Sequence, residues 1–228
     1  MSDLLHFSEG TLQEVALVIM ALVYTLRLRW LLKFKAGKER QPATGLAGTT
    51  PRKGILYSWA NIFMPWAMES TRTKFFNYIQ FGVFHVGVTL AIGLSFIIPY
   101  VPNLLTGVPL IVPIFQVLIG AACLVGLLRL IRRAGNKHMR AISSPDDYFS
   151  LVLLTVWFFF ATLAVPNNIA NGEGIMLTYF ILTAFFLIYV PFSKISHYLY
   201  YPFTRYYFGK SMGRRGTYPI KRVPASSK

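Results

Sequence analysis

Charge is scarce in this chain. Only 14% of its 228 residues are Asp, Glu, Lys or Arg, where a soluble globular domain carries about 25%. Acids are scarcer still, 8 against 23 Lys and Arg. There is one cysteine, Cys123. That excludes an internal disulfide, a Cys-x-x-Cys pair and the Cys-x-x-Cys-His motif of covalent haem attachment. Strand-like alternation over about ten residues does not recur, which argues against a membrane barrel. No Ser/His/Asp set, catalytic carboxylate pair or metal-ligand cluster is present. The first 26 residues hold Asp3, Glu9 and Glu14 but no Lys or Arg, which is not the pattern of a cleavable signal peptide.

What the chain has in quantity is apolar sequence, 54% of all residues. It falls into five runs at about 11–32, 75–98, 108–131, 148–166 and 174–200. Each is near the ~20 residues a helix needs to cross ~30 Å of hydrocarbon. The expected fold is therefore all-α, an integral membrane bundle of five transmembrane helices.

The net charge of +15 would suit nucleic acid if it were spread over one surface. Instead every Lys and Arg lies in 27–74, 129–140 or 194–228. The connections alternate accordingly. The 33–74 loop carries eight basic residues, 99–107 carries no charge, 132–147 is basic again, and 167–174 carries only Glu173. Basic loops collect on the cytoplasmic side, so the N-terminus is expected outside and the C-terminus in the cytoplasm, with no nucleic-acid partner. Residues 1–205 read as one membrane domain and 206–228 as a basic cytoplasmic tail. The 35–60 stretch reads as irregular or amphipathic, and Trp59 and Trp66 suit the headgroup region. Pro191 is expected to kink the fifth helix.

Four histidines remain to be placed. His6 and His138 lie in polar surroundings and read as solvated. His85 is inside the second span, in "QFGVFHVGVTLAIG". A polar group at that depth is costly and faces either a partner helix or a cofactor. Gly82, Gly87 and Gly93 beside it would let another helix or a planar group approach closely. His197 lies near the inner end of the fifth span and reads alone as an interfacial residue. Together the two suit axial ligation of one haem iron by two neutral imidazoles. Their depths differ: His85 is about 15 Å from the start of its span and His197 about 35 Å from the start of its own.

The segments "FHVGVTLAIG" and "VPFSKISHYLYYPFTRYY", with "RRAGNKHMRAISSPDDYFSLVLL" between them, resemble the gamma subunit of respiratory nitrate reductases. They are equally similar to the related membrane cytochromes b of sulfite-reduction-linked and heterodisulfide-reductase-like complexes. The resemblance covers about 75–205. It implies two b haems, each held by one histidine from the second helix and one from the fifth, and it puts His85 and His197 on the haem nearer the cytoplasm. The outer haem would need a histidine ten residues after His85, where this chain has Ser95. Its other ligand would lie 18 residues before His197, where this chain has Tyr179. One haem b is expected, not two.

The resemblance further implies an electron conduit in the inner membrane of a prokaryote. Menaquinone or ubiquinone would lie at one end, and a cytoplasmic-side iron–sulfur or molybdenum-type catalytic subunit at the other. Arg129, Arg133 and Lys194 read either as topology determinants on anionic lipid or as partners of haem propionates. Asp146 and Asp147 read as helix-capping acids. The rival expectations are a non-haem membrane anchor or assembly subunit, and a small transporter. The latter would call for intramembrane charges that this chain lacks.

Overall fold

The computed structural model describes residues 2–35, 37, 39–40, 42–44, 48, 50–170 and 172–220. Among these residues the protein is all-helical, about 80% helix with no strand. In chain order the helices are α1 (Asp3–Glu9), α2 (Thr11–Lys33), α3 (Pro51–Ala60), α4 (Glu69–Thr73), α5 (Phe75–Tyr100), α6 (Asn103–Gly107), α7 (Ile111–Gly135), α8 (Lys137–Ala141), α9 (Pro145–Ala164), α10 (Gly174–Tyr189) and α11 (His197–Arg214). Five segments are long and apolar enough to cross a membrane: Asp3–Lys33, which joins α1 and α2, then Phe75–Tyr100, Ile111–Gly135, Pro145–Ala164 and Gly174–Phe192. Their outward faces are apolar too. Leu22, Val117 and Leu124 are 60, 68 and 62% exposed, which suits lipid as the surrounding medium. This is the architecture of a multi-pass membrane protein.

The chain forms two compact units. The first contains Met1–Arg29 and Ile79–Ile195. Small residues set its helix spacing. A methyl group added to Gly126 of α7 would meet the Thr155 hydroxyl of α9 at 2.5 Å, and one added to Gly87 of α5 would meet Ala122 of α7 at 2.2 Å. Dispersion and close backbone approach hold such seams where no hydrophobic effect operates between helices. Polar side chains add single bonds across them. The Trp157 indole N–H donates to Thr183 Oγ1 at 2.8 Å, and the Gln13 amide donates to the Phe180 carbonyl at 2.7 Å and to that of Ser8 at 2.9 Å. At one end of the unit the Ser2 hydroxyl and N–H donate to the two carboxylate oxygens of Glu173. The hydroxyl bond, then the N–H bond, holds the Glu173 carboxyl below its usual range.

The second unit contains Trp30–Tyr78 and Ser196–Lys228, and its centre is α3 packed on α11. Thr50 caps α3 by accepting from the Lys53 N–H at 3.3 Å, and Pro51 occupies the first turn, where its missing donor costs nothing. Three glycines bring the two backbones together. A methyl group on Gly54 would lie 2.3 Å from the Gly209 carbonyl oxygen, and one on Gly213 would lie 2.7 Å from that of Thr50. Polar contacts border the crossing. Arg205 donates through Nε to the Ser58 carbonyl at 3.1 Å and through its other nitrogen to the Asn61 side chain. The Trp59 indole donates to the Pro202 carbonyl at 3.0 Å.

Glu39 ties its segment to the far end of α11. It accepts from Ser211 Oγ at 3.0 Å and from Arg215 at 3.2 and 3.3 Å. The Ser211 hydroxyl first, then Arg215, holds the carboxyl below the usual glutamate range. A folded-state value lowered in this way gives a contribution that is complete above the unfolded value, about pH 4.3. It is lost as the pH falls through the folded value. Glu39→Gln is expected to lower the thermal midpoint slightly at pH 7, because exposed pairs are weak. The gap from wild type should close as the pH falls below the unfolded value. A gap that stays constant through acid pH would remove the charge from the explanation.

One expectation is revised. The fifth helix does not run to residue 200. α10 ends at Tyr189, and 3₁₀ turns follow at Val190–Phe192 and Lys194–Ser196, separated by an extended Ser193. Pro191 cannot donate along a helix, and the Ser193 hydroxyl donates to the Val190 carbonyl at 3.1 Å while accepting from Ile195 N at 3.2 Å. The Pro191 kink is thus a full break. The 35–60 stretch, expected to be irregular or amphipathic, contains the helix α3 from Pro51 to Ala60. α11 runs through residue 205 to Arg214 and belongs with α3 in the second unit. The end of the expected tail, 221–228, lies outside the described residues.

Candidate functional site

His85 lies on α5 and is half-buried. Its Nδ1 is 2.7 Å from the Phe81 carbonyl oxygen one turn earlier. A carbonyl can only accept, so the neutral ring carries its proton on Nδ1 and its lone pair on Nε2. A backbone carbonyl that fixes the tautomer in this way also orients the ring, as in most metal-bound histidines. The Phe81 ring packs against the imidazole with centroids 4.1 Å apart. Gly82, three residues before His85 and on the same helix face, has nothing within 4 Å of the place where a side chain would begin. Of the three neighbouring glycines, Gly87 serves α5–α7 packing while Gly82 and Gly93 face open space.

Arg129 of α7 is half-buried and reaches the same level of α5. Its guanidinium lies 4.9 Å from the centre of the Phe84 ring, and Phe84 in turn meets Phe158 edge-on at 5.2 Å. The structure therefore places Arg129 against the residue next to His85. Arg133 and Lys194 are engaged elsewhere. Asp147, in the first turn of α9, accepts from the Ser144 N–H at 2.7 Å, from Ser144 Oγ at 2.8 Å and from Lys194 Nζ at 2.9 Å. Arg133 is 3.8 Å from the same oxygen and donates to Ser143 Oγ at 2.6 Å. The capping role expected of Asp147 is present. The same carboxylate also joins α7, α9 and the turn after α10, which spacing could not reveal. Beside it the Tyr189 hydroxyl donates to Asp146 at 2.5 Å and bonds Ser150 at 2.9 Å.

His197 is the first residue of α11 and is exposed. His85 belongs to the first unit and His197 to the second, so the pairing of these two imidazoles rests on the sequence. Ser95 and Tyr179, at the positions where an outer pair of ligands would stand, are both in the core of the first unit. Tyr179 is completely buried. Its hydroxyl donates to the Ala91 carbonyl at 2.6 Å, and its ring stacks on Trp157 at 6.5 Å and touches Phe180 at 5.1 Å. The Ser95 hydroxyl is turned back onto its own helix, donating to Ile92 O at 2.7 Å. α5 and α10 are in direct contact at this level.

Against a porphyrin, then, the residues present fit on three counts. His85 has the required tautomer, Gly82 leaves space beside it, and Arg129 supplies a charge-bearing fork nearby. Arg133 and Lys194 fit less well, since Asp147 already holds them. Comparison of the chain with protein-family models, with curated proteins and with solved structures finds no match.

Proposed function

We propose that this chain is the membrane-anchoring cytochrome b subunit of a respiratory oxidoreductase complex. It would pass electrons between a membrane quinone and a cytoplasmic-side iron–sulfur partner through one haem b. The observation that supports this reading is the Phe81 carbonyl bond to His85 Nδ1, which puts the ring's lone pair on Nε2, the form in which an imidazole ligates iron. A haem held by two imidazoles supplies one-electron transfer with no open coordination position. His85 would bind from α5 and His197 from the start of α11. Arg129 would neutralise a propionate. Tyr179 and its aromatic neighbours occupy the level where an outer pair of ligands would stand, which supports one haem over two. The N-terminus would face outwards and the basic segments would lie in the cytoplasm of a prokaryote, following the charge partition.

A non-haem anchor is the second reading. It is favoured by the capture of Arg133 and Lys194 by Asp147 and by the Phe81 carbonyl bond, which engages the His85 ring without any cofactor. A reduced-minus-oxidised spectrum of the purified protein, with haem quantified per polypeptide, separates the two. The cytochrome gives a sharp b-type α-band and a ratio of about one haem per chain. A flat trace with no bound haem, from protein purified out of haem-replete membranes, assigns the anchor.

A further inference from the structure

The second unit holds almost all of the protein's excess charge. Fifteen of the 23 Lys and Arg lie in it against only Glu39 and Glu69, a balance of +13 out of +15. Its surface is nevertheless not simply basic. Packing α3 on α11 through Gly54 and Ser58 turns the opposite face of α3 outwards. Residues 52, 56 and 59 share that face of α3 at three- and four-residue spacing; Phe63 ends the 3₁₀ turn Asn61–Phe63 that follows, and Trp66 lies in the turn beyond it. Leu56 is 55% exposed, Trp59 41%, Phe63 77% and Trp66 59%, with Arg52 at the end of the stripe. Tyr206 of α11 widens it, its ring centre 6.5 Å from that of Trp59.

Connectivity places this stripe near lipid. The chain passes between the two units after Arg29, Tyr78 and Ile195, each time within a few residues of the end of a spanning segment. With five crossings, those three ends lie on one side of the membrane. Exposed aromatic residues mark two of them, Trp30 with Phe34 and Phe75 with Phe76, as expected at the headgroup level. Trp66 is nine residues from Phe75, at most about 30 Å along an extended chain, and α4 shortens the link.

We infer that the outward face of α3 and the following turn is a monotopic membrane-binding surface, seated in the headgroup region and selective for anionic phospholipid. Its apolar stripe enters the boundary between headgroups and acyl chains, as an interfacial helix does, while the surrounding Lys and Arg side chains meet lipid phosphates. An acidic protein surface would match the charge alone. A row of two tryptophans, a leucine and a phenylalanine, on a unit joined to three span ends, matches lipid. The inference does not depend on haem ligation.

The test is depth measurement on the full chain in nanodiscs. In a Cys123→Ala background, Phe63→Cys carries a nitroxide label, and its accessibility to oxygen is compared with that to a water-soluble nickel chelate. On bilayers containing phosphatidylglycerol the label should lie about 5–10 Å below the phosphates, with an oxygen-to-nickel ratio several-fold above that of an aqueous site. On pure phosphatidylcholine the ratio should fall at least twofold. Arg52→Glu with Lys53→Glu should produce the same fall on the anionic bilayer, since acids in the first turn of α3 are compatible with the helix. Unchanged thermal midpoints would show that these variants fold. A label that stays aqueous on both bilayers overturns the inference. So does one that becomes occluded only in the native complex, which would assign the face to a protein partner. Equal depth on both bilayers overturns the selectivity for anionic lipid.

Discussion

Replacing His85 with alanine is expected to abolish the b-type α-band and to reduce bound haem from about one per chain to near zero. The imidazole is bonded through Nδ1 to the Phe81 carbonyl and packs against the Phe81 and Phe84 rings. No other histidine lies within α5, and no group of three or more His, Cys, Asp and Glu able to hold a metal occurs among the described residues. Two axial bonds act as a unit, so His197→Ala should give the same loss, and the double variant should be no worse than either single one. His138→Ala, in the basic loop, should retain full haem. Partial recovery of the band with added imidazole would distinguish a missing ligand from a misfolded bundle. Full haem content in His85→Ala would remove the assignment. Loss in His85→Ala together with retention in His197→Ala would leave His85 in place and require a different second ligand.

Gly54→Val and Gly209→Leu are expected to have the largest effects on stability, each costing about 3 kcal/mol or more. The atoms that a new side chain would strike belong to backbone. For Gly54 they are the Gly209 carbonyl oxygen at 2.3 Å and Gly213 Cα at 2.6 Å, and for Gly209 they are the Gly54 carbonyl oxygen at 2.6 Å and Ile55 Cα at 2.7 Å. No rotamer change relieves such contacts, so the helices must separate. Separation would leave the Ser58 carbonyl without Arg205 and the Pro202 carbonyl without Trp59. Cleavage by trypsin at Arg52 and Lys53, inside α3, should accelerate markedly in both variants, and the thermal midpoint should fall. Gly135→Leu is the matched control. Nothing lies within 4 Å of that position, so its effect should stay within about 0.5 kcal/mol. Wild-type protease resistance in Gly54→Val would mean that α3 and α11 are not packed in this way.

Part of this architecture was open to inspection from the start. "GILYS" at 54–58 and "GKSMG" at 209–213 both carry small residues four apart, the spacing that lets helix backbones meet. Thr50-Pro51 is a helix start of the usual kind. These signals escape notice because they lie in basic, aromatic-rich sequence that reads as loop and tail. A glycine also says that something comes close without saying what. The Asp147 carboxylate is a second case. Its position before an apolar run announces a cap, yet the arrival of Lys194 from 47 residues away depends on the break at Pro191 and Ser193. Tyr179 is a third. Its position made it a substitute for a ligand, but its bond to Ala91 and its complete burial belong to the assembled core.

The sequence by itself determined the five spans and the segregation of basic residues between them, because the length of an apolar run and the charge of a loop are local properties that a bilayer reads directly. It also singled out His85, since an ionisable group deep in an apolar helix stands out against its neighbours. Only the tertiary structure decided that the tail folds back as α11 onto α3, that the fifth helix stops at Tyr189, and that Asp147 gathers Arg133 and Lys194. The first and last of these depend on partners far apart in the chain, and side-chain spacing along one helix carries no record of which distant group will supply the contact; the stop at Tyr189 is local, made by Pro191 and the Ser193 turn.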